Sequence, residues 1–143
     1  MTISDGVSLA IHRFFRAVDA RDWDTASQLL ADQVSIDYTS VFGGEPERVA
    51  GGEIVQRWRD LLPGFDATQH FLGPLLGTGE GVVECNVRGF HHLDGGTWMV
   101  AGWYTLTLAE DDGRVRIAGI DLAESYETGS RDLVERARQR AGS

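Results

Sequence analysis

Val7, Ile11, Phe14 and Val18 recur at intervals of three and four residues, the repeat of one face of an α-helix. Ser4 or Asp5 stands ahead of the run as a cap, so the pattern predicts a helix over Ser4 to Ala20. A short helix follows near Asp24 to Leu30, opened by an acidic residue and turning Ala26, Leu29 and Leu30 partly inward. Val34, Ile36 and Tyr38 then alternate with Ser35 and Asp37, which reads as a strand. Gly43-Gly44-Glu45-Pro46 and Gly51-Gly52 bracket a stretch read as an irregular loop. Glu53 to Leu62 returns to helical spacing, with Ile54, Trp58, Leu61 and Leu62 inward and Pro63-Gly64 as the stop.

From Thr68 onward the period changes to two. Strands are predicted over Thr68–Leu72, Val82–His92, Trp98–Leu108 and Val115–Leu122. Asp94-Gly95-Gly96 and Asp111-Asp112-Gly113 are hairpin signals between the long ones. Gly77-Thr78-Gly79-Glu80-Gly81 reads as a glycine-rich turn; no helix follows it, so it is no phosphate loop. Ser130 to Ser143 is a charged helix candidate with a thin apolar stripe at Leu133, Val134 and Ala137. Helices first and an antiparallel meander afterwards predict an α+β fold, a single domain over 1–143.

Alternation also assigns faces. In Val82–His92 the odd positions Val83, Cys85 and Val87 are apolar, which turns His91 inward and His92 outward unless Gly89 marks a bulge. In Trp98–Leu108, Met99, Ala101, Trp103, Thr105 and Thr107 share a face, and the two hydroxyls ending an apolar row are read as pocket lining. Trp23, Trp58, Trp98 and Trp103 are expected in the core and pocket wall.

The bulk numbers narrow the function classes. The 143 residues suit one ordinary domain, and a net charge of −9 argues against a basic nucleic-acid surface and against anionic membranes. Cys85 is the only cysteine, so neither an internal disulfide nor a cysteine-rich metal site is expected. The opening Met1-Thr2-Ile3-Ser4-Asp5-Gly6 has no signal-peptide pattern, and a reducing cytoplasm is the expected compartment.

The remaining chemistry concentrates in four residues. Asp19, Tyr38, His70 and His91 supply a carboxylate, a phenol and two imidazoles from separate elements. Such a set can move protons on a small organic molecule. Asp19, His70 and His91 would also make a two-imidazole, one-carboxylate metal set, but their spacing has no ligand signature, and no metal or other cofactor is expected.

Asp19-x-x-Asp22-Trp23-Asp24, Ile36-Asp37-Tyr38-x-Ser40 and Thr68-Gln69-His70-Phe71-Leu72-Gly73 resemble the scytalone dehydratase family. More broadly they are similar to the nuclear transport factor 2-like superfamily, with its SnoaL-like cyclases and ketosteroid isomerases. The resemblance runs from about Phe15 to Leu122. It implies a cone: a curved antiparallel sheet wrapped by N-terminal helices around a deep pocket. It also implies roles. Asp19 matches the carboxylate that holds a histidine, here His91 in preference to His70, and would keep it charged. Tyr38 matches a tyrosine that positions a water on the substrate carbonyl. His70 and His91 match the two histidines, and Thr105 and Thr107 fall where the family places a serine and an asparagine against substrate. Val18 stands where the family has a second active-site tyrosine.

The expected activity is a cofactor-independent lyase of the dehydratase type, acting on a small hydroxylated carbonyl or polyketide-type compound by histidine acid–base catalysis. A polyketide cyclase or isomerase using the same pocket, or a non-catalytic small-molecule-binding domain, are the alternatives. The expected partners are a small-molecule ligand and further copies of the chain, as a dimer or trimer.

Overall fold

The computed structural model describes residues 3–143. Helix α1 spans Asp5–Asp19, and the Ser4 hydroxyl caps it by accepting from the Val7 amide at 3.2 Å. Its apolar stripe buries Ile11, Phe14, Phe15 and Val18. Arg21, in the left-handed region at φ 58°, breaks the chain, and Asp22 caps α2 (Trp23–Leu29) by accepting from the Thr25 amide at 3.1 Å.

Strand β1 (Leu30–Asp37) leads to a single helical turn, α3 (Thr39–Phe42). The stretch read as an irregular loop also contains an edge strand, β2 (Glu47–Ala50), paired antiparallel with β1 in the register Val34↔Val49. Helix α4 (Gly51–Arg59) is followed by a 3-10 turn at Leu62–Gly64. Then come β3 (Ala67–Leu72), β4 (Leu76–Gly79), β5 (Val82–Leu93), β6 (Gly96–Asp111), β7 (Arg114–Thr128) and α5 (Asp132–Ala141). The predicted glycine-rich turn is thus largely strand: β4 pairs with β5. Strand β7 runs past the predicted end at Leu122 because its polar continuation still pairs with β6, to Met99↔Thr128.

The sheet order is β2-β1-β7-β6-β5-β3, with β4 also on β5. All pairings are antiparallel except β1 with β7. The fold is therefore α+β, a curved and mainly antiparallel sheet with the N-terminal helices packed on one face. Helix α1 lies against β3 and β7, and the core forms between it and the inner face of the sheet.

Two Asp-Gly turns set the register of the long strands. Asp94 and Gly95 have φ of 50° and 78°, Asp112 and Gly113 52° and 75°. Positive φ at both central residues is the type I′ turn, whose twist matches that of the strands. The first turn pairs Leu93 with Gly96, and hence His91 with Trp98, Gly89 with Val100 and Cys85 with Tyr104. Directly paired residues share a face. The inner residues of β6 are therefore Trp98, Val100, Tyr104 and Leu106, all buried. Met99, Ala101, Trp103, Thr105 and Thr107 point to the outer face, the reverse of the reading from the sequence. Both faces of β6 are apolar near its start, so alternation within that strand could not choose between them.

Candidate active site

The cone encloses a cavity of about 110 Å³. Its wall is almost wholly apolar: Phe15 and Val18 from α1, Val41 and Phe42 from α3, Trp58 from α4, Leu61 and Leu62, then Val87, Val100 and Leu122 from the sheet. Three polar side chains reach it, His70, Tyr38 and Tyr104. A dry wall with a few convergent polar groups is the usual make-up of a small-molecule site.

His70 is held from behind. Asp19, at the last turn of α1, accepts from the His70 backbone amide at 2.7 Å and from the Thr68 hydroxyl at 3.1 Å, and its Oδ1 lies 2.8 Å from His70 Nδ1. A carboxylate facing Nδ1 requires the proton on that nitrogen, which leaves Nε2 unprotonated in the neutral ring. Asp19 itself lies outside the cavity, whereas the Nε2 edge of His70 faces the Cα of Gly89 at the cavity wall. The side chains of His70 and Asp19 are 13% and 17% exposed, so water screens their interaction little. The expected partner of Asp19 was His91. The structure pairs it with His70 instead, because β3 and not β5 is the strand that runs beside the end of α1.

His91 faces inward, and β5 carries no bulge at Gly89. Its ring packs 4.6 Å from Trp98 and 5.1 Å from Phe65, with His70 at 6.3 Å between centroids. Nδ1 donates to the Trp98 carbonyl at 3.2 Å. Burial, with the neighbouring His70, pushes its pKa down to about 4, so it is a neutral imidazole near pH 7 and does not carry the charge expected of it. It is not among the cavity-lining residues; its Cε1 lies beside Gly89, 3.4 Å from where a Cβ there would stand and on the same side as the His70 ring. His92 points outward and meets the Thr97 hydroxyl at 2.9 Å.

Tyr38 follows β1 and precedes α3, with its ring on the cavity and its phenol buried, and burial pushes its pKa up to about 12. The Tyr104 phenol adjoins it and is raised further, by burial and then by Tyr38. Both remain protonated donors at any ordinary pH. The Tyr104 ring stacks on Phe15 at 4.9 Å, and Phe15 lies 5.3 Å from His70, so one aromatic of α1 braces both.

Of the residues singled out in the sequence, Val18, Tyr38 and His70 meet at the cavity, with Asp19 directly behind. Trp103, Thr105 and Thr107 do not: they lie on the outer face, and Trp103 is 46% exposed. Sequence reasoning missed Tyr104, Phe15, Thr68 and Arg21. The Asp94-Gly95 turn would have found Tyr104, since it fixes Cys85↔Tyr104 once the odd residues of β5 are known to face inward. Arg21 left no such signal. Its guanidinium donates to the carbonyls of Leu62 at 3.0 Å and Phe65 at 2.6 Å, tying the break after α1 to the segment that enters β3. Among the described residues no group of three or more His, Cys, Asp or Glu is arranged to hold a metal ion.

Residues 4–121 match the model of the SnoaL-like domain family. The chain belongs to that family. No curated protein matches it in sequence. Solved structures share the fold of this SnoaL-like domain. The Kfla4162 protein from Kribbella flavida superposes with a TM-score of 0.83 at 23% identity, over 91% of this chain and 95% of that one. A candidate scytalone dehydratase from Novosphingobium aromaticivorans gives 0.71 at 13%, over 88% and 86%. A hexachlorocyclohexane dehydrochlorinase from Novosphingobium barchaimii gives 0.65 at 15%, over 88% of each. These likenesses establish the nuclear transport factor 2-like fold of the SnoaL-like domain. None of its described helices is long and apolar enough to cross a membrane.

Proposed function

We propose that this SnoaL-like domain, a single domain over 1–143, is a cofactor-independent lyase that removes water from a small, neutral β-hydroxy carbonyl compound, polyketide-type molecules among them. The observation that carries the reading is the Asp19–His70 pair, whose free Nε2 edge meets a dry cavity shared with two phenols. His70 Nε2 takes the proton from the carbon next to the carbonyl. The electron pair moves onto the carbonyl oxygen, where the Tyr38 and Tyr104 phenols donate to the developing enolate. The enolate then re-forms the carbonyl and expels the β-hydroxyl, which leaves as water with the proton returned from His70. Asp19 stabilises the imidazolium that exists between the two transfers. His91, neutral and buried, packs beside His70 and transfers no proton in this scheme.

Two structural neighbours bear the names of elimination enzymes, a dehydratase and a dehydrochlorinase, which supports elimination over other uses of the fold. A cyclase or isomerase would share the first proton transfer. A cytoplasmic protein assembled from several copies is part of the same reading.

The test is a panel of β-hydroxy ketones and hydroxylated bicyclic aromatics, followed by absorbance as conjugation forms. His70→Ala should lower turnover by roughly a hundred- to ten-thousandfold with the fold retained by circular dichroism, the usual contribution of general acid–base catalysis. If the wild type binds such compounds, turns none over, and His70→Ala binds them equally well, the domain is a binding module. The valine at position 18, where the dehydratase family has a tyrosine, is what such a module would also show.

A further inference from the structure

A second chamber adjoins the cavity, of about 220 Å³ against about 110 Å³. Tyr38, Phe42 and Trp58 line both, so these three rings form the boundary between them. The floor of the second chamber is carbon from the buried Ile36 and Ile54, and its rim carries the exposed Glu45, Glu47 and Arg57. Sites for drug-sized ligands measure about 300–1,000 Å³, a range that neither space reaches alone and the two just reach together.

The rim is not what the fold requires. Strand β2 sets Val49 opposite Val34 and Glu47 opposite Ile36, and paired residues share a face. Glu47 therefore stands on the inner face of an edge strand, in a row that is otherwise apolar. Arg57 of α4 donates to both of its oxygens, at 2.8 and 3.1 Å, and to Glu53 at 3.4 Å. A carboxylate offers about four acceptor sites, so Glu47 keeps some free, and Glu45 adds its own. The guanidinium spends its donors on these acids. The chamber thus accepts hydrogen bonds and has more negative charge than positive around it.

The three boundary rings are not equally fixed. The Tyr38 phenol is buried against Tyr104, and Trp58 packs 5.8 Å from Phe14. Phe42 is 57% exposed, with its ring 6.2 Å from Trp98 and 5.9 Å from the Arg131 guanidinium carbon. It ends the single turn of α3, and Gly43 and Gly44 follow at positive φ with open space around them. Turning Phe42 aside costs the least packing and joins the two spaces.

We propose that the second chamber is a subsite for the tail of an elongated, neutral ligand: an aromatic ring lies between Phe42 and Trp58, over Ile36 and Ile54, and a hydroxyl on that ring donates to the Glu45–Glu47 rim. The placement of the head rests on the elimination reading. Of the polar side chains that reach the cavity, Tyr38 alone also lines the chamber. A carbonyl held by the phenols therefore turns the substituent on its carbonyl carbon toward the chamber. An anionic tail is rejected by the acidic rim.

The experiment is calorimetric titration of the full chain with β-hydroxy ketones that differ only in that substituent. The set is methyl, phenylethyl, and phenylethyl with a para-hydroxyl, para-methoxyl or para-carboxylate. The phenyl ring should raise affinity at least about tenfold over methyl, and the hydroxyl should exceed the methoxyl by about tenfold. The carboxylate should bind worst of the three para compounds. In a Glu45→Gln, Glu47→Gln double variant, checked for folding by thermal melts, the gain from the ring should persist. The hydroxyl's margin should shrink to about threefold or less, since a neutral acceptor bonds more weakly than a carboxylate. A ring that gains less than about twofold overturns the subsite. So does a hydroxyl margin that is absent, or that the double variant leaves intact. Binding and turnover are read apart: both margins without turnover keep the subsite and sink the elimination reading, and turnover of the methyl compound without the margins does the reverse.

Discussion

The carboxylate of Asp19 meets three donors, and they differ in what a substitution removes. Asp19→Asn keeps the shape but loses the anion, and its amide can accept through only one atom. His70 then loses both its orienting partner and the charge that stabilises the imidazolium. Turnover in the β-hydroxy ketone assay should fall by about a hundredfold or more, close to the loss for His70→Ala. Thr68→Val removes only the 3.1 Å hydroxyl contact and leaves the other two, so a net loss of about 1 kcal/mol and a severalfold drop in turnover are expected. Equal losses in the two variants would show that Asp19 acts as packing and not through its charge. His91 supplies a separate reading. Its pKa falls from 6.5 unfolded to about 4 folded, so between those values the unfolded chain binds a proton that the folded chain refuses. Its contribution is fully present above pH 6.5 and is lost as the pH falls to about 4, a total of about 3 kcal/mol. His91→Asn cannot titrate. Urea midpoints measured from pH 7 to pH 4 should fall less steeply for His91→Asn than for the wild type, and parallel curves would contradict the burial of a neutral imidazole.

At the scale of elements, the helices and long strands were legible because each carries its own periodicity and stop signal. Ser4 caps where a hydroxyl precedes an apolar repeat, and the Asp-Gly pairs turn where the alternation breaks; the second helix, read from Asp24, starts at Trp23 with Asp22 as its cap. Strands β2 and β4 were not legible, since their stability comes from pairing with β1 and β5 and not from an apolar face of their own. The same holds for the site. Tyr38 and His70 were readable as residues, but Tyr104 becomes a cavity residue only through its register with Cys85, and the choice of His70 over His91 by Asp19 depends on which strand passes the end of α1. Docking of α5 is another such long-range fact. Leu133 and Ala137 are buried, and the 3-10 turn approaches so closely that a Cβ on Gly64 would lie 1.8 Å from the Ala137 carbonyl oxygen. That contact is with backbone, so α5 must move for any side chain to fit. Gly64→Ala should therefore cost about 2–4 kcal/mol, in the range of severe overpacking, and expose α5 to protease well before the sheet. A variant that melts and digests like the wild type would mean that α5 is not seated where Ala137 places it.

The whole molecule adds a constraint that no single element contains. A chain of net charge −9 folds around a cavity whose lining has no lysine or arginine. The two phenols can donate to an oxygen but cannot neutralise a charge, and the Asp19 carboxylate stands one hydrogen bond behind His70. A carboxylate entering this space gives up its hydration for neutral donors, in a wall of aromatic and aliphatic carbon, under a surrounding field of its own sign. A ketone gives up little and gains the same two hydrogen bonds. Matched pairs of ligands, differing only in a methyl ketone against a carboxylate, should then separate by at least about a hundredfold in affinity, since an unpaired buried charge costs several kcal/mol. Raising the salt concentration should leave ketone binding unchanged and recover only part of the carboxylate's loss, because the surface field is screened by ions while the cavity interior is not. Calorimetric titration of the wild type with both members of a pair reads this directly. Should the carboxylate bind as well as the ketone, the resting cavity offers it a positive charge, as an imidazolium at His70 would, and the neutral carbonyl substrate would have to be abandoned.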